Sequence, residues 1–133
     1  MRKVTLENEE FLTNMTDGGG ELTGFYKNKE IKKIHEWIGL SNGISIKEFY
    51  FDKGQLILVY EKFDSFVFDD KKNEFDLAKT KTVFEGRYYF SNKKIFSEST
   101  KGDKSLPTQD EKTGKGLLES ADDNMRLLNK KAY

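Results

Sequence analysis

The chain contains no cysteine, which excludes disulfide staples, thiolate nucleophiles and cysteine-ligated zinc. It holds a single histidine, His35. Its 23 basic and 23 acidic side chains cancel to a net charge of zero, with acids interleaved among the lysines almost everywhere. A polyanion binder usually shows a basic surplus or stripe, so nucleic acid is not an expected partner. Near-zero charge also makes self-association easier. No apolar run approaches membrane-spanning length, and the basic start Met1-Arg2-Lys3 is followed by no apolar stretch of signal-peptide length. As it stands the chain is expected to be soluble, either cytoplasmic or exported with a leader already removed.

Apolar residues are also scarce, at 35% of the sequence. They are large ones, however: 11 Phe, 6 Tyr and 1 Trp bury far more area apiece than Ala or Val would, which favours a folded core over disorder. At 133 residues the length fits one domain.

What is present is a phrase repeated three times, an aromatic, a polar turn, then Ile or Leu: Tyr26-Lys27-Asn28-Lys29-Glu30-Ile31, Phe51-Asp52-Lys53-Gly54-Gln55-Leu56 and Phe90-Ser91-Asn92-Lys93-Lys94-Ile95. Asn, Asp, Gly and Lys between apolar runs are hairpin chemistry, because they tolerate the positive φ of tight turns. Ser41-Asn42-Gly43 is a further turn signal. The fold class is therefore mainly β (α+β): an antiparallel meander of about six strands over residues 21–99.

Around this sheet, residues 4–16 are weakly periodic and compatible with a short N-terminal helix. Gly18–Gly20 then supplies slack within an N-terminal segment of residues 1–20. Leu56, Leu58 and Tyr60 alternate with Ile57 and Val59, which predicts a central strand covered on both faces. Asp69–Lys81 reads as a solvated loop, and residues 100–114, with Gly102 and Pro107, as a linker. In the tail Leu117, Leu118, Ala121, Met125 and Leu128 recur at three- and four-residue steps, which predicts an amphipathic helix over 115–131 packed on the sheet.

Candidate sites are few. His35 would need a carboxylate from a neighbouring strand, since Glu36 points to the opposite face. A carboxylate-dependent enzyme would need a pair such as Glu48 and Glu61 to converge. The acids at Asp64, Asp69, Asp70, Glu74 and Asp76 lack the glycine and alternate spacing of a calcium loop. No metal or cofactor is expected. On one strand Glu85, Arg87 and Tyr89 share a face, while Phe84, Gly86, Tyr88 and Phe90 share the other. Gly86 marks either close approach by a ligand or room for an aromatic neighbour. Arg87 supplies a fork of donors and the tyrosines supply flat surface with a polar tip. The ligand or partner candidates are Trp37, Tyr50, Glu85, Arg87, Tyr88 and Tyr89.

The stretch Phe84-Glu85-Gly86-Arg87-Tyr88-Tyr89-Phe90-Ser91-Asn92-Lys93-Lys94 resembles a MORN-type hairpin repeat, in which an aromatic-Glu-Gly start precedes an Asn-Gly-Lys turn. Gly24-Phe25-Tyr26-Lys27-Asn28-Lys29 echoes part of it. The closing glycines are missing, and the phrases are spaced by 25 and then 39 residues, where an array keeps one period. The resemblance implies a sheet of successive hairpins of the kind found in interaction modules. The expected function is that of a small bacterial, non-enzymatic binding module with a protein or small-molecule partner. The alternative is a small-molecule or lipid carrier with a cavity between curled sheet and helix, and the third reading is the carboxylate enzyme.

Overall fold

The three repeated phrases become three hairpins of one kind. In each, the two residues at the tip adopt positive φ: Asn28 and Lys29 (52° and 69°), Lys53 and Gly54 (52° and 79°), Asn92 and Lys93 (51° and 65°). Two successive left-handed residues make the type I′ turn, whose twist matches that of the strands it joins. The flanking pairs Tyr26 and Ile31, Phe51 and Leu56, Phe90 and Ile95 lie opposite one another across the strands. Each is followed by one bulged residue, Lys32, Ile57 or Phe96.

A computed structural model describes residues 2–12, 18–102 and 113–133. Its strands are β1 (Arg2–Glu7), β2 (Gly20–Lys27), β3 (Glu30–Leu40), β4 (Gly43–Asp52), β5 (Gln55–Asp69), β6 (Glu74–Ser91) and β7 (Lys94–Gly102), followed by the helix α1 (Thr113–Ala132). The strands form one antiparallel sheet in sequence order, a seven-stranded meander where six were expected.

The added strand is β1, in place of an N-terminal helix. Val4 and Leu6 alternate with polar neighbours and are buried, a period of two that pairs in register with Leu22–Tyr26. Among the described residues of this segment, helical turns are limited to the 3-10 segment Asn8–Glu10, whose start is held by a Glu7 N–H donating to Glu10 Oε1 at 2.9 Å. The residues 13–17, Met15 among them, lie outside the described residues. Gly18 and Gly19 are not slack. Gly18 N–H donates to Gly39 O (3.0 Å) and Gly39 N–H to Gly19 O (2.8 Å), so two backbones pack where a Cβ on Gly39 would stand 2.7 Å from Gly18 Cα.

One face of the sheet carries the core. Val4, Leu6, Leu22, Tyr26, Ile34, Phe49, Val59 and Tyr88 meet Leu117, Ala121 and Leu128 of α1. The buried helix positions 117, 121, 124 and 128 follow the 3.6-residue period. Each fully buried leucine stabilises the docking by about 1.5–3 kcal/mol. Polar ties fix the far end of α1: Tyr26 O–H donates to Asn129 Oδ1 (2.8 Å) and Lys131 Nζ to the Thr5 carbonyl (2.7 Å).

β5 differs from its expectation. It is interior, but only one of its faces is covered, and Ile57 remains 43% exposed. The bulge at Ile57 shifts the alternation by one. Leu56 therefore joins Val59 and Glu61 on the helix side, and Leu58 and Tyr60 go to the open side.

Residues 69–81 are not a free loop. β5 and β6 continue past the sheet as a two-stranded ribbon, closed by a turn at 70–73 in which Asp69 Oδ1 accepts from the Lys71 and Lys72 N–H groups (3.0 and 3.3 Å). Charged side chains at eight of these thirteen positions hid a hairpin whose strands have no buried face. This ribbon also explains the uneven spacing of the repeat: the tip turns stay at one end of the sheet, and the excess between the second and third phrases goes into the opposite end. The linker expected at residues 100–114 is shorter than that: residues 100–102 pair with β6 as the end of β7 and residues 113–114 open α1, while residues 103–112 lie outside the described residues.

Candidate functional site

The face opposite α1 is open, and register lays its side chains in straight rows across the strands. One row reads Lys3, Phe25, Lys33, Tyr50, Leu58, Tyr89 and Ser97. The next reads Thr5, Thr23, His35, Glu48, Tyr60, Arg87 and Ser99, and a third Glu21, Trp37, Ile46, Lys62, Glu85 and Lys101. A polar line thus crosses the sheet between one row rich in aromatic groups and another that is mostly charged, with Trp37 and Ile46 as its apolar members, because direct cross-strand partners share a face.

Two networks occupy the polar line. In the first, Glu48 Oε2 takes His35 Nδ1 at 3.0 Å and Lys33 Nζ at 3.1 Å, while Tyr50 O–H donates to Glu48 Oε1 at 3.1 Å. Burial alone would raise the Glu48 carboxyl. The hydrogen bonds from His35, Lys33 and Tyr50 and the Lys33 charge outweigh it, so Glu48 lies below its ordinary value. Burial works to lower Lys33, and Glu48 together with Tyr50 more than reverses it, leaving Lys33 above its ordinary value. Lys33 Nζ also stands over the rings of Phe25 and Tyr50, 5.5 and 5.4 Å from their centroids.

In the second network Tyr60 O–H donates to Glu85 Oε2 at 3.0 Å. Burial, then the bond to Glu85 and its charge, push the Tyr60 phenol up. The Arg87 guanidinium lies over the Tyr60 ring, 4.8 Å from its centroid. Among the described residues Arg87 makes no side-chain hydrogen bond and no ion pair. It is an exposed fork of donors resting over that ring.

Of the six residues expected at a site, five share this face. Trp37, Tyr50, Glu85 and Tyr89 are half-buried and Arg87 is exposed. Tyr89 sits against Phe96, ring centroids 6.4 Å apart. Tyr88 is on the other side. It is 2% exposed and donates its hydroxyl to the buried Glu61 (2.8 Å), so it belongs to the core. Gly86 is the room that Tyr88 fills, since a Cβ there would meet its ring at 3.0 Å.

His35 finds the carboxylate that sequence could not identify, because Glu48 is its direct partner on β4. Glu48 and Glu61 do not converge, for one lies on the open face and the other on the helix face. Among the described residues no group of three or more His, Asp or Glu side chains is placed to hold a metal ion. No helix there is long and apolar enough to cross a membrane. The chain matches no known protein family, no curated protein and no solved structure.

Proposed function

We propose that this chain is a non-enzymatic binding module that engages a carboxylate-bearing partner across the open face of its sheet, with Arg87 as the anchor. The observation that carries this is the stacked, otherwise unengaged guanidinium. It lies over the Tyr60 ring while its paired N–H donors remain available for bidentate contact with a carboxylate. Tyr89 is the next residue of β6 on this face, and Tyr50 on β4 and Trp37 on β3 extend the apolar area farther across it. A binding role also suits the titrating groups. A general base works best when its carboxyl is raised toward neutrality, and Glu48 is shifted the other way.

The test is selection of displayed peptides on the intact chain, followed by affinity measurements on variants. Arg87→Ala should weaken a selected ligand by about 10-fold or more, the worth of a charge-assisted hydrogen bond. Arg87→Lys should restore only part, and the melting curve should stay put. Ligands without carboxylates, or affinities indifferent to Arg87→Ala, would refute the reading.

The carrier alternative has one observation in its favour, an open cleft of about 350 Å³ lined by Phe51, Leu56, Leu118, Lys93 and Asp122. A copurifying small molecule detected by mass spectrometry would support it, and an empty extract would count against it.

A further inference from the structure

The ribbon between Phe66 and Val83 stands outside the binding face. β4 accompanies β5 only as far as Ser65, and β7 accompanies β6 only from Phe84. Among the described residues the ribbon between them therefore has no strand on either side. An isolated two-stranded hairpin is marginal in water, because it buries little apolar surface. This one nevertheless leaves Val67, Phe68, Phe75 and Leu77 exposed by 39%, 44%, 39% and 69%. Phe68 and Phe75 pack edge to face with centroids 5.3 Å apart, forming a paired aromatic plate. The base is fixed, with Phe66 N–H donating to the Asn42 carbonyl at 2.9 Å.

We infer that this ribbon is a self-association arm, and that its occupant is the same ribbon of a second copy, packed face to face about a twofold axis. Charge selects that partner. Between Asp69 and Lys81 the ribbon carries four acids and four lysines, and Lys79 with Asp76 (4.0 Å) is the one ion pair among them. A polyanion or polycation would meet like charges as often as opposite ones. A twofold copy is different: every contact of residue i with j recurs as j with i, so one interspersed set of charges can satisfy itself. The zero net charge of the chain sets no long-range barrier.

The mode of packing follows from a bulge. Phe66 pairs with Thr80 but Val67 with Asp76, so Leu77, Ala78 and Lys79 have no opposite residue. Asp76 Oδ1 holds this bulge by accepting from Ala78 N–H at 3.0 Å. Such a bulge blocks strand addition along the β6 edge, and with Leu77 thrust outward near the Phe68–Phe75 pair the exposed apolar side chains of the ribbon form the contact surface.

Sedimentation equilibrium of the full chain up to about 1 mM tests this. The wild type should approach twice the chain mass of 15.5 kDa. Leu77→Asp, at a position already exposed, should return the mass to that of one chain with the circular dichroism spectrum intact. A charge variant, Lys71→Glu with Lys72→Glu, should dissociate at low salt and reassociate at high salt. A wild type monomeric throughout overturns the inference. So does a dimer that survives Leu77→Asp, since its contact would lie elsewhere.

Discussion

Gly86→Ala tests directly whether the glycine in β6 serves the core or a ligand. The added Cβ would stand 2.7 Å from the Tyr88 hydroxyl oxygen and 3.0 Å from two ring carbons. Tyr88 is buried and its hydroxyl donates to Glu61, itself 3% exposed. The ring must therefore shift, which strains the packing by about 1–3 kcal/mol and stretches a hydrogen bond to a carboxylate worth about 1.5–3 kcal/mol. One displacement relieves part of both, and Ala narrows the unfolded ensemble by about 0.4–1 kcal/mol. The net loss is about 2–4 kcal/mol on those figures. An unfolding entropy of about 2.1 cal/mol/K per residue gives about 0.28 kcal/mol/K for 133 residues, so Tm should fall by about 7–14 °C. Calorimetry measures this. Tyr88→Phe removes the closest atom, so the double variant should be destabilised by at least about 1 kcal/mol less than the sum of the two single changes. A Tm within about 2 °C of wild type for Gly86→Ala, or strict additivity in the cycle, would sink the argument that Tyr88 occupies this space.

The remaining expectations concern the open face and the helix. Glu48→Gln removes the charge that Lys33 pairs with and His35 contacts, and should cost about 0.2–1 kcal/mol at pH 7. Glu48 is lowered in the fold, so its contribution is present above the unfolded carboxyl pKa and is lost as pH falls through the folded one. The gap between wild type and Glu48→Gln should accordingly close in acid, and urea curves showing a constant gap from pH 7 to pH 3 would contradict this. Lys33 is raised, so its contribution persists at pH values below the unfolded lysine pKa and fades as pH climbs through the folded one, a loss confined to strongly alkaline solution. Leu128→Ala empties a fully buried helix position that fills the space beside Gly24, and should cost about 2–5 kcal/mol in urea denaturation. A loss under about 1 kcal/mol would mean that α1 is not docked through this residue.

Much of the sheet was legible because its determinants are local. The turn residues at 28–29, 53–54 and 92–93 announce themselves by tolerance for positive φ, and the period of α1 survives in its leucines. The strand faces of β6 were also legible, with Tyr88 opposite Arg87. Which of the two faces is buried was not, so sequence alone does not separate Tyr88, a core residue, from its exposed chain neighbours. Ser41-Asn42-Gly43 shows the same limit. The pairing Leu40 with Gly43 makes Ser41 and Asn42 the loop, and Gly43 is needed in β4 because a Cβ there would collide with the Asp64 carbonyl. A close approach between strands distant in sequence leaves no local trace.

The bulges decide the rest, and they act on the site as much as on the fold. Alternation read from Leu56 onward puts Tyr60 and Leu56 on one face, yet the single unpaired Ile57 moves Tyr60 to the other. Without that shift Tyr60 would point into the helix, and the stacking surface beneath Arg87 would be absent. The same step turns Glu61 inward to meet Tyr88, so the two carboxylates that a hydrolytic pair would require are forced to opposite sides of a single layer. Parity shifted next to a tip turn therefore builds the Arg87 platform and separates Glu48 from Glu61 in one stroke.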